Sequence, residues 1–378
     1  MRKLVMVTCT VLIAYAAHAA NVTIPAFQLL TRGAMDDGIF VLRTQADIDV
    51  ELGGGYKFGG QLGLSLNTVD LEAPSTPGDS YDPDVIRAAL DRSLTLSYAR
   101  VVVRDLFGAG VDLDYFVGRY RTLLSGDIFP EQFGSAVVAS DMRGLLYFPD
   151  GVVYNGIHTI NGTGLGFALP GLASWLYLDA AVYQDGYLGQ GRYSTDLRAA
   201  FNFMGFKAET FAGATFPEGA VGAYRAGLLL YYATGTGGEF LTQIGVPRWR
   251  PVADGPLTID DFMFLFEPRV DLGLLSVILT LFWHPQYYHQ APTGERGATD
   301  IIVKLLARDR EADSASGGLE TALRLRPDDP DRTLRVVVSP FLTLHSLGVD
   351  WDFKVNLNVF PFAPDDLVEG FVGFRTQF

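Results

Sequence analysis

The segment 349–359 constrains the fold of this chain most strongly, because apolar and polar residues alternate in it without a break. Its odd-numbered residues are all apolar, and its even-numbered residues are Asp350, Asp352, Lys354, Asn356 and Asn358. Successive side chains of a β-strand point to opposite faces, so this pattern predicts a strand with one apolar and one polar face. A helix would distribute the same residues around its circumference.

The same alternation recurs along the chain. Other clear examples lie at 58–66, 94–98, 111–117, 193–203 and 262–272, and weaker segments fill much of the remainder. Segments of about ten alternating residues separated by turns are the sequence signature of a transmembrane barrel. The sequence therefore predicts an all-β fold, a transmembrane antiparallel β-barrel of about 14–16 strands.

The apolar residues are not pooled into long runs, although they make up 48% of the chain and charged residues only 19%. The longest uncharged apolar stretch after the amino terminus is 273–283. A membrane-spanning helix needs roughly 20 such residues. No helical span is therefore expected.

The amino terminus has the three parts of a secretory signal peptide. Arg2 and Lys3 precede an apolar run, and Ala17-His18-Ala19 supplies an A-x-A cleavage site. We therefore predict a signal peptide over 1–19 and a single outer-membrane β-barrel domain over 20–378. Cys9 is the only cysteine, so the exported chain would hold no disulfide and no cysteine-bound metal.

The carboxyl-terminal segment 368–378 alternates down to the terminal Phe378. A strand that ends on an aromatic residue resembles the closing strand of bacterial outer-membrane β-barrels of the porin-like class. The resemblance implies that the barrel-insertion machinery reads this strand, with Phe378, Phe374 and Val372 as the assembly signal. It also implies a bacterial outer-membrane location, with outer-membrane lipid around the barrel.

The connections differ in length, as expected for a barrel with short turns at one end and long loops at the other. Short ones are predicted at 53–55, 107–110, 204–205 and 326–332, and long ones at 68–91, 121–150, 184–191, 285–298 and 308–317. The segment 119–150 resembles the strand–loop pattern of porins, which implies a loop that folds into the lumen as a constriction. Its apolar half equally fits a plug or a subunit contact.

The sequence contains no nucleophile elbow, P-loop, dinucleotide fingerprint or H-E-x-x-H pattern. No histidine has a second histidine or a carboxylate at metal-ligand spacing. The formal net charge of −14 repels nucleic acid. We therefore expect no enzyme activity, no catalytic residue, no cofactor, no metal and no nucleic-acid partner.

Charged residues on the polar faces of the strands are the informative ones. Directed toward lipid, each would cost about 2–4 kcal/mol at mid-membrane, so we expect them to face the lumen. The predicted pore-lining residues are Asp112, Asp114, Asp196, Arg198, Lys207, Glu209, Glu267, Arg269, Asp271, Asp350, Asp352 and Lys354. Inward charges of both signs select solutes by charge and size in a water-filled pore. Alternatively, they neutralise one another and brace a plugged lumen.

The expected function is a porin-like channel for passive diffusion of small hydrophilic solutes. Three alternatives stay open: a plugged barrel that transports hydrophobic molecules, a surface-exposed adhesin or structural barrel, and a soluble secreted β-sandwich. The sequence also leaves open whether copies associate into a homo-oligomer.

Overall fold

The computed structural model describes most of the chain. The described residues are 21–36, 39–54, 58–68, 94–108, 110–136, 138–143, 156–186, 191–217, 222–284, 287–288, 291–292, 298–307, 315–326, 334–346, 348–364 and 367–376. The predicted signal peptide and Phe378 lie outside them, so both stay predictions.

Strands dominate the described residues. The barrel strands are β1 (Asn21–Asp36), β2 (Ile39–Gly54), β3 (Phe58–Thr68), β4 (Leu94–Val103), β5 (Asp112–Leu123), β6 (His158–Ala173), β7 (Leu176–Asp185), β8 (Tyr193–Phe203), β9 (Phe206–Phe216), β10 (Ala223–Ala233), β11 (Gly238–Trp249), β12 (Met263–Asp271), β13 (Leu275–His284), β16 (Ala298–Ala307), β17 (Ala315–Leu325), β18 (Leu334–Ser346), β19 (Val349–Phe360) and β20 (Val368–Thr376). A separate two-residue hairpin pairs β14 (Tyr287–Tyr288) with β15 (Ala291–Pro292). One short helix, α1 (Ile128–Phe133), follows β5. In the described part of the chain, no helix is long and apolar enough to cross a membrane.

The eighteen barrel strands form one antiparallel meander. Each strand pairs with the next one along the chain, and β20 pairs back onto β1, from Phe27 opposite Thr376 to Ala34 opposite Glu369. Every strand thus has two hydrogen-bonded neighbours. Lipid cannot hydrogen-bond a free strand edge, so this ring of pairings is the form in which a sheet can span a membrane.

The predicted antiparallel barrel is confirmed, but the strand number is wrong: the described residues form 18 barrel strands, not about 14–16. Strand β1 was not predicted because Pro25 and the two consecutive leucines Leu29 and Leu30 interrupt the alternation of apolar and polar residues. It also begins directly after the predicted signal peptide. Other strands alternate only weakly, which lowers any count made from the pattern.

The alternation places apolar side chains outside and polar ones inside. On β8, Tyr193 and Leu197 are exposed, whereas Asp196 and Arg198 are buried. Exposed apolar side chains continue on the outer faces of β9, β11 and β12, including Phe216, Phe240 and Phe264. The outer surface is the one that meets lipid, and the polar network lies within.

The two ends of the barrel differ. We call the end where β1 begins and β20 ends the turn end, because it carries the short connections β4–β5, β6–β7, β8–β9, β10–β11 and β12–β13. The opposite loop end carries the long connections β3–β4, β5–β6, β11–β12 and β13–β16. Residues 308–314 and 327–333 lie outside the described part of the chain, so the predicted long connection 308–317 and the predicted short connection 326–332 stay predictions.

Candidate functional site

The chain enters the barrel interior directly after β5. We call residues 124–143, of which 137 is not described, the inserted segment. Leu124, Ile128, Phe129, Val138 and Met142 are only 0–3% exposed. The reversal needs Gly126, whose φ is +79° and whose added Cβ would lie 1.7 Å from the carbonyl oxygen of Val138. The resemblance of 119–150 to the porin strand–loop pattern implied such an insertion.

Glu209 on β9 anchors the start of the inserted segment. Its carboxylate accepts hydrogen bonds from the backbone N–H of Leu124 at 2.8 Å and of Gly126 at 3.3 Å. From β11, Gln243 Nε2 donates to the carbonyl oxygen of Leu124 at 2.7 Å. Glu209 is fully buried. A buried carboxylate needs hydrogen-bond donors to compensate for its lost hydration. These bonds therefore stabilise the charge of Glu209 and also hold the inserted segment in place.

Glu267 on β12 anchors the far end of the segment. Its carboxylate accepts hydrogen bonds from Ser140 Oγ at 2.7 Å and from the backbone N–H of Asp141 at 3.0 Å. Arg269 donates to Glu267 at 2.5 Å and also reaches the carbonyl oxygen of Ala139. Lys304 on β16 forms an ion pair with Asp141 at 2.9 Å. The segment is therefore held against β9, β11, β12 and β16.

Apolar packing fills the space between the two anchors. The inward side chains of Leu229, Leu241, Leu265 and Phe282 are completely buried and belong to the same core cluster as the inserted segment. We call this region, the inward faces of β8–β13 with the inserted segment, the packed side. Burial of this apolar surface makes the segment part of the core of the barrel.

A cavity of about 770 Å³ remains between α1 and strands β3–β6. Its lining is mainly polar and includes Gln61, Arg100, Asp112, Arg119, Asp127 and Glu131. Asp112 is the first residue of β5, so the cavity reaches from α1 toward the turn end. Space of this size and polarity suits water and small polar solutes.

A series of side chains with alternating charge, which we call the charge belt, begins at the wall of this cavity and extends behind it. It consists of Arg100, Asp114, Arg121, Asp179, Arg198 and Glu209. Arg100 donates to Asp114 from two nitrogens, at 2.9 and 2.8 Å, and Arg198 lies 2.5 Å from Asp179 and 3.6 Å from Glu209. Each buried charge thus has an opposite neighbour, which offsets its cost of desolvation.

A second buried network lies beside the charge belt. Arg225 on β10 donates to both oxygens of Asp196, at 2.6 and 2.7 Å. Tyr183 donates to Asp196 at 2.8 Å, and His158 Nε2 lies 3.0 Å from the Tyr183 hydroxyl. Sequence reasoning did not select Arg225 or Asp179, because the strands that carry them are mostly apolar.

The structure divides the predicted pore-lining residues into groups. Asp112, Asp114 and Arg198 line the cavity. Glu209, Glu267 and Arg269 hold the inserted segment, Asp196 belongs to the Arg225 network, and Lys207 lies 5.1 Å from the ring of Tyr231. Asp271 lies at the end of β12 and binds the N–H of Gly273 in the following turn.

The remaining three lie apart, on β19. Lys354 pairs with Glu320 at 2.7 Å, Asp350 with Arg375 at 2.8 Å, and Asp352 accepts a hydrogen bond from Thr343 at 2.6 Å. We call the inward faces of β17–β20 the open side. The described residues of the inserted segment form no hydrogen bond or ion pair with these side chains. Several of these charges stay partly exposed.

Comparison with known proteins is informative at the level of fold. No family model and no curated protein matches this chain. The crystal structure of OccAB4 from Acinetobacter baumannii superimposes with a TM-score of 0.52 at 8% identity, over 95% of this chain and 98% of that one. Two other outer-membrane proteins superimpose with lower TM-scores. OmpF of Salmonella typhi in complex with daunomycin has a TM-score of 0.48 at 11% identity, over 95% of this chain and 97% of that one. Wzi of Escherichia coli has a TM-score of 0.49 at 10% identity, over 93% of this chain and 84% of that one.

The strand pairing and the likeness to OccAB4 together define the class. The chain has the transmembrane β-barrel fold of porin-like outer-membrane proteins. The assignment is to this class and not to a particular family within it.

Proposed function

We propose that the protein is a channel of the bacterial outer membrane through which small hydrophilic solutes diffuse passively. The observation that carries this proposal is the polar cavity beside α1. The inserted segment fills the packed side of the lumen and leaves this polar space beside it, along β3–β6. A solute that crosses the barrel would pass between α1 and the charge belt.

The proposal narrows the set of pore-lining residues. Asp112 would meet solutes at the cavity, and Asp350 and Lys354 would do so on the open side. Asp114, Arg198 and Asp352 are only 0–5% exposed and would act on solutes through their electric field. Charges of both signs in one narrow wet passage select by charge as well as by size. Glu209, Glu267 and Arg269 would act indirectly, since they hold the segment that sets the width of the passage.

Single-channel recording tests the proposal. The protein, folded in detergent and inserted into a planar bilayer, should give discrete current steps in simple salt. Variants of the lining residues should change ion selectivity. A folded, inserted protein without conductance would contradict the channel and favour a plugged barrel that transports hydrophobic molecules. Intact conductance with loop-dependent binding of cells or proteins would point to an additional adhesive role.

The proposed location depends on assembly through the last strand. Phe374 contacts Phe27 on β1 and Trp351 on β19, with ring centroids 5.5 and 5.1 Å apart. It therefore lies where the last strand, β20, pairs with the first strand, β1, and closes the barrel. Val372 is exposed on the outer face of β20. We propose that the insertion machinery reads these residues together with Phe378.

Deletion of Phe378 should then lower the amount of folded protein in the outer membrane, with Phe378→Tyr as the matched control that keeps an aromatic terminus. Resistance to unfolding in SDS at room temperature measures the folded fraction. Equal folded amounts for the deletion and the control would contradict the assembly role.

A further inference from the structure

Three short turns at the turn end expose large apolar side chains. Met204, between β8 and β9, is 87% exposed, and Leu274, between β12 and β13, is 86% exposed. Leu272 in the same turn is 66% exposed, and Leu172 and Trp175, around the β6–β7 turn, are 56% and 47% exposed. Turns that face water are typically built from glycine, proline, asparagine, aspartate and serine. These three turns depart from that composition.

The backbone does not account for methionine in the β8–β9 turn. Met204 has a φ of +51°, in the left-handed region that few residues other than glycine adopt readily. In a two-residue hairpin turn with positive φ at the first position only, glycine is favoured at that first position, whereas here Gly205 occupies the second. Packing within the chain does not account for it either, because the side chain is almost fully exposed. Its apolar character therefore points to a contact outside the chain.

The exposed turn residues are continuous with the lipid-facing surface. Phe203 and Phe206 flank Met204 and are both exposed, as are Val270 and Leu275 beside the β12–β13 turn. Trp175 stacks on Phe201, an outward residue of β8, with centroids 6.2 Å apart. Tryptophan and other amphipathic or apolar residues at strand ends are typical of the boundary between headgroups and acyl chains.

The neighbouring part of the turn end, which follows the β12–β13 turn around the barrel, differs in composition. The connection 308–314 between β16 and β17 has the sequence Arg-Asp-Arg-Glu-Ala-Asp-Ser, with five charged residues of seven. Ser346, at the end of β18, is exposed and polar. The β10–β11 turn lies between two of the apolar turns and has small polar side chains. The hydroxyl groups of Thr234 and Thr236 form a hydrogen bond at 3.1 Å. Hydroxyl groups of this size suit the headgroup region.

We propose that the turns after β6, β8 and β12 enter the boundary between headgroups and acyl chains, so that this side of the barrel lies deeper in the membrane than the side of β16–β19. The partner is lipid, because the surface that continues into these turns is the lipid-facing one. Met204 and Leu274 are the residues that make the contact. The inference concerns the seating of the barrel and is independent of whether the lumen conducts.

Site-specific fluorescence in vesicles tests the inference. In a Cys9→Ser background, a single cysteine replaces Met204, Leu274 or, as the matched control, Ser346, and carries an environment-sensitive dye. The full chain is inserted into phosphatidylcholine vesicles. In one experiment the lipids have brominated acyl chains, and in the other iodide is added to the water on both sides of the membrane. We expect acyl-chain quenching to be severalfold stronger at positions 204 and 274 than at 346, and iodide quenching to be severalfold weaker.

Each other outcome overturns the inference. Equal quenching at all three positions would mean that the two parts of the turn end lie at the same depth. Shielding from iodide that occurs only in native envelopes would assign the surface to a periplasmic protein. Shielding that disappears when the protein is diluted in excess lipid would assign it to a second copy of the chain. Positions 204 and 274 lie in different turns, so one of them suffices if the other variant does not fold.

Discussion

The packed side and the open side of the lumen carry the same kinds of residue in different surroundings. On the packed side, the side chains of Glu209 and Glu267 are completely buried and bind the inserted segment. On the open side, Lys354 and Glu320 are 11% and 12% exposed, and Asp350 and Arg375 are 28% and 31% exposed. Both sets alternate along strands and point inward. Among the described residues, the inserted segment covers the first set and forms no hydrogen bond or ion pair with the second.

This difference separates two roles for an inward charge. A charge removed from water is costly unless its partners are complete, so removal of one partner destabilises the structure strongly. A pair that keeps some hydration contributes little to stability and remains able to interact with ions that pass. Glu209, Glu267 and the equally buried Asp114 therefore act mainly as anchors, whereas Asp112 and Asp350, which keep partial exposure, can act on solutes.

Replacement of Glu267 by alanine should have the largest effect. It leaves Ser140, the N–H of Asp141 and Arg269 without their shared acceptor in a dry site. Breaking a buried pair typically costs about 3–5 kcal/mol, so the free energy of unfolding should fall by this order. The far end of the inserted segment should also be released, which widens the passage. Urea titration and single-channel conductance measure the two effects.

The matched control is Glu320→Ala on the open side, which removes a carboxylate from a partly hydrated pair with Lys354. Its unfolding midpoint should change much less, and its conductance should not increase as in the Glu267 variant. Equal losses of stability for the two variants would show that the packed and open sides do not differ in the way that their burial indicates.

Replacement of Asp112 by lysine should have an intermediate effect, on selectivity rather than on stability. Asp112 is partly exposed at the turn end of the cavity, and a charge reversal there changes the field that a passing ion meets. The reversal potential in a salt gradient should shift toward anions, and Asp350→Lys should shift it in the same direction. Asp260→Lys, outside the barrel strands, is the control. Unchanged reversal potentials for both lumen variants would mean that these carboxylates do not line the pathway.

The sequence could predict the barrel because each strand must show one face to lipid and one to the lumen. The alternation in 349–359 reappears as β19, with Trp351 exposed and Asp352 buried. The same rule identified inward charges such as Asp196 and Arg198. It failed for β1, where Pro25 and adjacent leucines break the period, and so the strand number came out too low.

The composition of the site could not be predicted from alternation alone. Alternation predicts that Glu209 and Asp350 both face inward, but it does not predict which residues they contact inside the barrel. Glu209 meets Leu124 and Gly126, which are 85 and 83 residues away in sequence. Such contacts follow from the register of eighteen strands and from the path of the inserted segment. The distinction between an anchor and a pore-facing charge therefore arises only in the folded barrel.

The smallest effect is expected for Lys354→Met, which tests the open side directly. Methionine keeps much of the aliphatic length of lysine but removes the ammonium group that bonds to Glu320 at 2.7 Å. For a pair with residual hydration the loss of stability should be about 1 kcal/mol or less. The freed carboxylate of Glu320 should shift the reversal potential slightly toward cations, opposite in sign to Asp112→Lys. A loss of stability as large as that of Glu267→Ala would mean that the open side is as dry as the packed side, and that its charges brace the barrel.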